Sequence, residues 1–175
     1  MRALVDAPRL RAFMRALGHE VPHPACVYFT GGATAVLHGW RASTIDVGLK
    51  LVPDDDAILR AIPALKERLS MNIELAAPDD FIPVLKGWEE RSVFVAQEGP
   101  LTFFHFDLVA QALAKIERGH RQDTDDVQQM LSRGLVTVAD LQATFEAIAG
   151  TLYRYPALDP PAFRRAVEAV TTPAT

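Results

Sequence analysis

Between Val27 and Leu51 the apolar period of the chain changes twice, and glycines mark both changes. Val27-Tyr28-Phe29-Thr30 reads as a short buried strand. Gly31-Gly32 interrupts it, Ala33 to His38 resumes as a short helix, and Gly39 stands where that helix would close. From Ile45 to Leu51 the chain alternates strictly. Ile45, Val47, Leu49 and Leu51 fall on one face, and Asp46, Gly48 and Lys50 on the other. Strand, glycine turn, helix and one-sided strand together commit this stretch to a mixed α/β arrangement.

The flanking segments extend that reading. Leu10, Phe13, Met14 and Leu17 recur at helical spacing, with Gly18 where a C-cap would sit. Asp54-Asp55-Asp56 precede Ile58, Leu59, Ile62, Leu65 and Leu69, which predicts a helix with acids at its positive end and a kink at Pro63. Asn72 to Ala76 alternates, placing Glu74 opposite Ile73 and Leu75, and Arg91–Gln97 with Leu101–Phe106 predict a hairpin across Glu98-Gly99-Pro100. After Asp107 the pattern is helical near residues 108–118, 124–133, 139–153 and 160–170, separated by Gly119, Gly134 and Pro156. The expected organisation is an α/β domain over residues 1–107 and a helical bundle over 108–175 that packs on it and closes one side of a cleft.

Composition narrows the function classes. Apolar residues make up 49% of the 175, enough for an ordinary core. The balance of 18 Lys+Arg against 22 Asp+Glu argues against a whole surface built to hold nucleic acid, so any polyanion contact is local. No apolar stretch reaches the ~20 residues of a membrane span and the first residues lack a signal-peptide centre, so a cytoplasmic protein without membrane contact is expected. Cys26 stands alone, which leaves no disulfide within the chain and no cysteine zinc site, and predicts a small core residue. His19 and His23 have the i, i+4 spacing of a helical zinc site, but Gly18, Pro22 and Pro24 argue against a helix there. A serine-hydrolase elbow, a Walker lysine and a Rossmann fingerprint are all missing.

A glycine pair between strand and helix lets backbone approach a phosphate closely, with helix amides pointing at it. A tight turn with no ligand would be written the same way. Asp46 follows on the polar face of the next strand, within Arg41-Ala42-Ser43-Thr44-Ile45-Asp46-Val47-Gly48-Leu49. The combination Tyr28-Phe29-Thr30-Gly31-Gly32-Ala33 with Arg41-Ala42-Ser43-Thr44-Ile45-Asp46-Val47 resembles the nucleotidyltransferase superfamily, in which a Gly-Gly or Gly-Ser pair precedes Asp-x-Asp or Asp-x-Glu. More narrowly, it is similar to the small bacterial AbiEii-like branch of abortive-infection and toxin proteins. Lys115 with His120-Arg121-Gln122-Asp123-Thr124-Asp125-Asp126 resembles that branch's lysine and Arg-x-x-Asp-x-x-Asp run, with His120 in the arginine's place. The resemblance covers roughly residues 25 to 130.

The resemblance implies a nucleotidyltransferase-like short mixed sheet, Mg²⁺ held by strand carboxylates, and a nucleoside triphosphate against Gly31 and Gly32. The α-phosphate would be attacked by a hydroxyl of an RNA (tRNA) or protein acceptor, in a toxin-antitoxin or phage-defence setting with a cognate antitoxin as partner. Residues i and i+2 of a strand share a face, so an Asp-x-Asp pair can grip divalent cations while a neighbouring strand adds a third acid. Here Gly48 occupies the second acid's position. Three accounts stay open: a pseudoenzyme that keeps the fold and nucleotide binding, an introduced substitution, or an enzyme whose second ligand comes from elsewhere. A bulge or a close backbone approach would also call for glycine.

Glu74 is the candidate third carboxylate, with Asp107 as an alternative; a plain solvent-facing acid would read the same. Asp46 and Glu74 are thus the metal and catalytic candidates, joined by Lys115. Arg41 and Thr44, just before Asp46, are candidates to meet the nucleotide's phosphate oxygens, and Lys115 and Arg118, about one turn apart, are candidates for the triphosphate or an RNA backbone. Asp123, Asp125 and Asp126 suit a helix start, with Asp123 as an N-cap. Asp126 alternatively pairs with Arg121 or Lys115 and holds the helices together.

Overall fold

A computed structural model describes residues 3–173. Its elements are α1 (Ala7–Glu20), β1 (Ala25–Thr30), α2 (Gly32–His38), β2 (Asp46–Val52), α3 (Asp56–Arg68), β3 (Asn72–Leu75), α4 (Trp88–Arg91), β4 (Val93–Glu98), β5 (Leu101–His105), α5 (Leu108–Arg118), α6 (Arg121–Ser132), α7 (Val138–Ala149) and α8 (Pro160–Thr171). The five strands form one mixed sheet in the order β3-β2-β1-β5-β4. β1 runs antiparallel to β2 and parallel to β5, β2 is parallel to β3, and β4 and β5 form the expected hairpin. The mixed α/β, nucleotidyltransferase-like class is what is found. Contacts divide the chain into two compact units, one of residues 1–77 with 92–106 and one of residues 78–91 with 107–175.

In the sheet unit, the pleat sorts side chains cleanly. Val27, Phe29, Val47, Leu49, Leu51 and Ile73 enter a core completed by Leu10, Phe13, Met14 and Leu17 of α1 and by Ile58, Ile62 and Leu65 of α3. Burying such side chains is worth roughly 1.5–3 kcal/mol each, which pins the register of every strand they sit on. The alternate positions Asp46, Gly48, Asn72 and Glu74 therefore project from the other face. The register then sets Thr30 beside Gly48, Gly48 beside Glu74, and Asp46 beside Asn72.

Several expectations need correction. Gly18 does not end α1, which continues to Glu20; a Cβ on Gly18 would come within 2.3 Å of the Glu98 carbonyl oxygen, so glycine is there to admit the β4–β5 turn. Ile45 lies outside β2 and is 64% exposed, because the chain enters the sheet one residue later, after Thr44 has paired with Val5. Leu75 shares the side of Ile73 yet is exposed, since β3 is an edge strand and its last residues outrun the core. Cys26 is only half-buried. Arg91 belongs to α4 rather than the hairpin. α3 runs through Pro63 and is capped by Asp55, whose carboxylate accepts from the amides of Ala57 and Ile58.

In the helical unit, the four helices after Asp107 are those expected, with α6 starting earlier than periodicity suggested. His120, not Asp123, is its N-cap residue. Asp107 caps α5 through the amide of Val109 and receives the Arg91 guanidinium at 2.7 and 3.0 Å, so this alternative carboxylate is fully engaged in holding the unit.

His105 closes the sheet unit beneath α2. Its Nδ1 lies 3.2 Å from the Thr34 hydroxyl, and its ring lies 4.3 Å from that of His38, which also stacks on Trp40. Burial, and secondarily the neighbouring His38, hold the His105 imidazole down to about 3. An imidazole in the unfolded chain protonates near 6.5, so between about 6.5 and 3 the unfolded state binds more protons and stability falls as pH falls. Urea denaturation at pH 7.5 and pH 5 is expected to show this loss, and His105→Gln, which cannot titrate, is expected to shrink it.

Candidate functional site

The turn between β1 and α2 is built from two glycines with different duties. Gly31 adopts φ 59° and ψ −125°, which a side chain would make costly. Gly32 makes room: a Cβ there would lie 2.0 Å from the Thr44 hydroxyl and 3.4 Å from an Arg41 nitrogen. Thr44 in turn donates to the carbonyl oxygen of Asp46 at 3.0 Å. Gly31, Gly32, Arg41, Thr44 and Asp46 are thus brought together at one end of the sheet.

Asp46 and Glu74, one on each of two neighbouring parallel strands, both accept from the side-chain amide of Asn72. The distances are 2.5 Å to Asp46 Oδ1 and 2.8 Å to Glu74 Oε1. Both carboxylates are exposed. Periodicity predicts that they share the polar face, and Asn72 is the residue that joins them. Its i, i+2 spacing to Glu74 was the available signal.

Between these groups and β1 lies Gly48. A Cβ at that position would meet the Thr30 hydroxyl at 2.3 Å, because Thr30 donates across it to the Ala76 carbonyl oxygen at 2.7 Å. Glycine at 48 is therefore matched to its surroundings, the close-approach account of this residue. Gly48→Ala is expected to cost about 1–3 kcal/mol, as overpacking does, and Thr30→Ala about 1 kcal/mol for the lost hydrogen bond. The double variant is expected to lose less than the sum, because removing the hydroxyl frees the space. Urea denaturation of the three proteins measures this coupling.

The remaining candidates belong to the helical unit. Lys115, 4% exposed, donates to Asp126 at 2.7 Å and to Asp123 at 3.3 Å, and Arg118 donates to Asp123 at 2.7 Å. Burial alone would raise the Asp123 carboxyl, but the Arg118 hydrogen bond and the charges of Lys115 and Arg118 outweigh it and hold it below the usual range. Lys115, Asp123 and Asp126 form a buried ion cluster, with Arg118 at its partly exposed edge, that ties α5 to α6; the pairing of Asp126 with Lys115 is one of the two expected alternatives.

Residues 8–157 match the family described as nucleotidyltransferase of unknown function (DUF6036). The chain belongs to this family. No curated protein and no solved structure matches the chain. Membership in DUF6036 accords with the mixed sheet and its flanking helices. Among the described residues, no helix is long and apolar enough to cross a membrane.

Proposed function

We propose that this protein transfers a nucleoside monophosphate from a nucleoside triphosphate to a hydroxyl of an RNA end, such as that of a tRNA, or of a protein, with Asp46 and Glu74 as ligands of Mg²⁺. One observation carries the reading. Two carboxylates from neighbouring parallel strands meet at a single amide, one strand away from the end of β1 that leads into Gly31-Gly32. Carboxylate oxygens are the ligand chemistry of hard divalent cations, so the donors present suit Mg²⁺. Bound there, the cation would screen the triphosphate charge and orient the α-phosphate.

The chain's own residues supply the rest. Gly31, with open space where a side chain would stand, leaves bare backbone for a triphosphate to approach, and Arg41, beside Gly32, offers a guanidinium suited to phosphate oxygens. In the transfer, the acceptor oxygen forms a new ester bond to the α-phosphorus as the bond to the β-phosphate oxygen breaks, releasing pyrophosphate and the hydroxyl proton. Lys115 is given no nucleotide contact in this reading, because Asp123 and Asp126 already hold it. Arg118 is the partly exposed cation of that cluster and its candidate for an RNA backbone. The AbiEii-like kinship, the toxin-antitoxin or phage-defence setting and the cognate antitoxin rest on the resemblance of residues 28–33 and 41–47, and of Lys115 with 120–126, alone.

Incubation with each α-labelled triphosphate and bulk RNA or protein tests the proposal. Label is expected on one acceptor class and is expected to vanish with EDTA; no label with any combination, or transfer indifferent to EDTA, would sink it. A second reading, a non-catalytic nucleotide-binding or protein-interaction pseudoenzyme, draws support from Gly48, where a family carboxylate would collide with Thr30. For that reading calorimetry should show triphosphate binding without turnover.

A further inference from the structure

We propose that the outer edge of β3 is where two copies of this chain pair, strand against antiparallel strand, joining their sheets about a two-fold axis. This contact is independent of the transfer reaction. The two borders of the sheet are built differently. At β4 the register slips between Phe94 and Ala96, the kind of irregularity that keeps a border strand from recruiting another. β3 pairs with β2 without a slip from Asn72 to Leu75, and nothing in the sheet pairs with its far side. Beside that border, α3 and β3 line a groove of about 430 Å³ with Ile62 and Ile73, and leave Leu59 and Leu75 at 37% and 55% exposed. Apolar side chains in water next to an open backbone ladder are the two halves of a strand-addition surface.

Charge and register both select a second copy as the occupant. Lys66 and Glu67 line the same groove, and among the described residues neither is held in an ion pair. A patch that carries both signs can meet its own copy with opposite charges facing, which suits a two-fold contact. Directly opposite residues of an antiparallel pair share a face, so the axis passes beside a residue paired with itself. On a four-residue strand that leaves Ile73 or Glu74 at the axis if most of the strand is to pair. Glu74 at the axis would set two carboxylates face to face. Ile73 at the axis sets apolar against apolar on the core side, and on the other side sets each uncharged Asn72 amide against the Glu74 carboxylate of the second copy. The same register brings each exposed Leu75 against Met71 of the second copy and withdraws it from water.

Sedimentation velocity and light scattering over about 5 to 500 micromolar chain are expected to show a reversible dimer with a micromolar dissociation constant. Leu75→Asp, at an exposed position, is expected to weaken it about tenfold or more. Lys66→Glu is expected to weaken it severalfold, and Lys66→Glu with Glu67→Lys, which restores both signs, to recover it. These two variants leave the strand untouched and carry the test if Leu75→Asp fails to fold, which circular dichroism checks. Cysteine pairs in a Cys26→Ser background read the register. A mixture of Asn72→Cys and Glu74→Cys proteins is expected to give a disulfide-linked dimer on mild oxidation, and Glu74→Cys alone is not. A monomer throughout the concentration range would overturn the proposal and leave the border to a strand of a different protein. A dimer indifferent to Leu75→Asp and Lys66→Glu, or a disulfide in Glu74→Cys alone and none in the mixture, would overturn it as well.

Discussion

Replacing Lys115 by methionine is expected to destabilise the helical unit by about 3–5 kcal/mol, the cost of stranding a buried charge partner. The Lys115 and Asp126 side chains are 5% and 2% exposed and meet at 2.7 Å, so the remaining carboxylate has no water to recover. The double change Lys115→Met with Asp126→Leu removes the pair as a unit and leaves Asp123 with Arg118; it is expected to lose much less. Denaturant titration of both variants measures this. If Lys115 instead worked mainly on substrate, the single variant would keep its stability and lose only activity. The same cluster has a pH signature. Asp123 is held below its ordinary carboxylate value, so its contribution is present above the unfolded value near 3.8 and is lost as pH falls through the lower folded one.

Asp46→Ala is expected to lower label transfer by about a hundredfold to a thousandfold, the scale seen when a charge-stabilising group is removed from a transfer site. Stability should change by no more than about 0.5 kcal/mol, because the side chain is exposed and buries no apolar surface. Initial rates and urea midpoints, taken on the same preparation, separate the two. Transfer within a factor of a few of wild type would remove Asp46 from the site, and Glu74→Gln applies the same test to its neighbour.

How much of this was legible depends on whether the cause was local. The β1–Gly31-Gly32–α2 segment could be read because Gly31 and Gly39, both at positive φ, act on the backbone beside them. The faces of β2 could be read because Val47, Leu49 and Leu51 must all turn toward one core. Helix α5 was bounded correctly by Asp107 and Gly119, a cap at each end. Gly18 was misread because a glycine after an apolar helical run looks like a stop, whereas its reason is a distant carbonyl, that of Glu98. Gly48 has the same kind of reason: the Thr30 hydroxyl arrives from another strand, and spacing alone does not announce it. Asn72 joins Asp46 to Glu74 through an uncharged amide, which periodicity and charge pattern do not mark.

The β2–β3 junction places Glu74, with Asn72 two residues before it, on a four-residue border strand, paired on one side only. Borders of that kind open locally at a fraction of the free energy of global unfolding. Each such excursion would carry Asn72 and Glu74 away from Asp46 while the core beneath stays intact. Occupancy of the site would then report on fraying, and amide exchange at Ile73 and Glu74 would slow whenever an ion staples the border down.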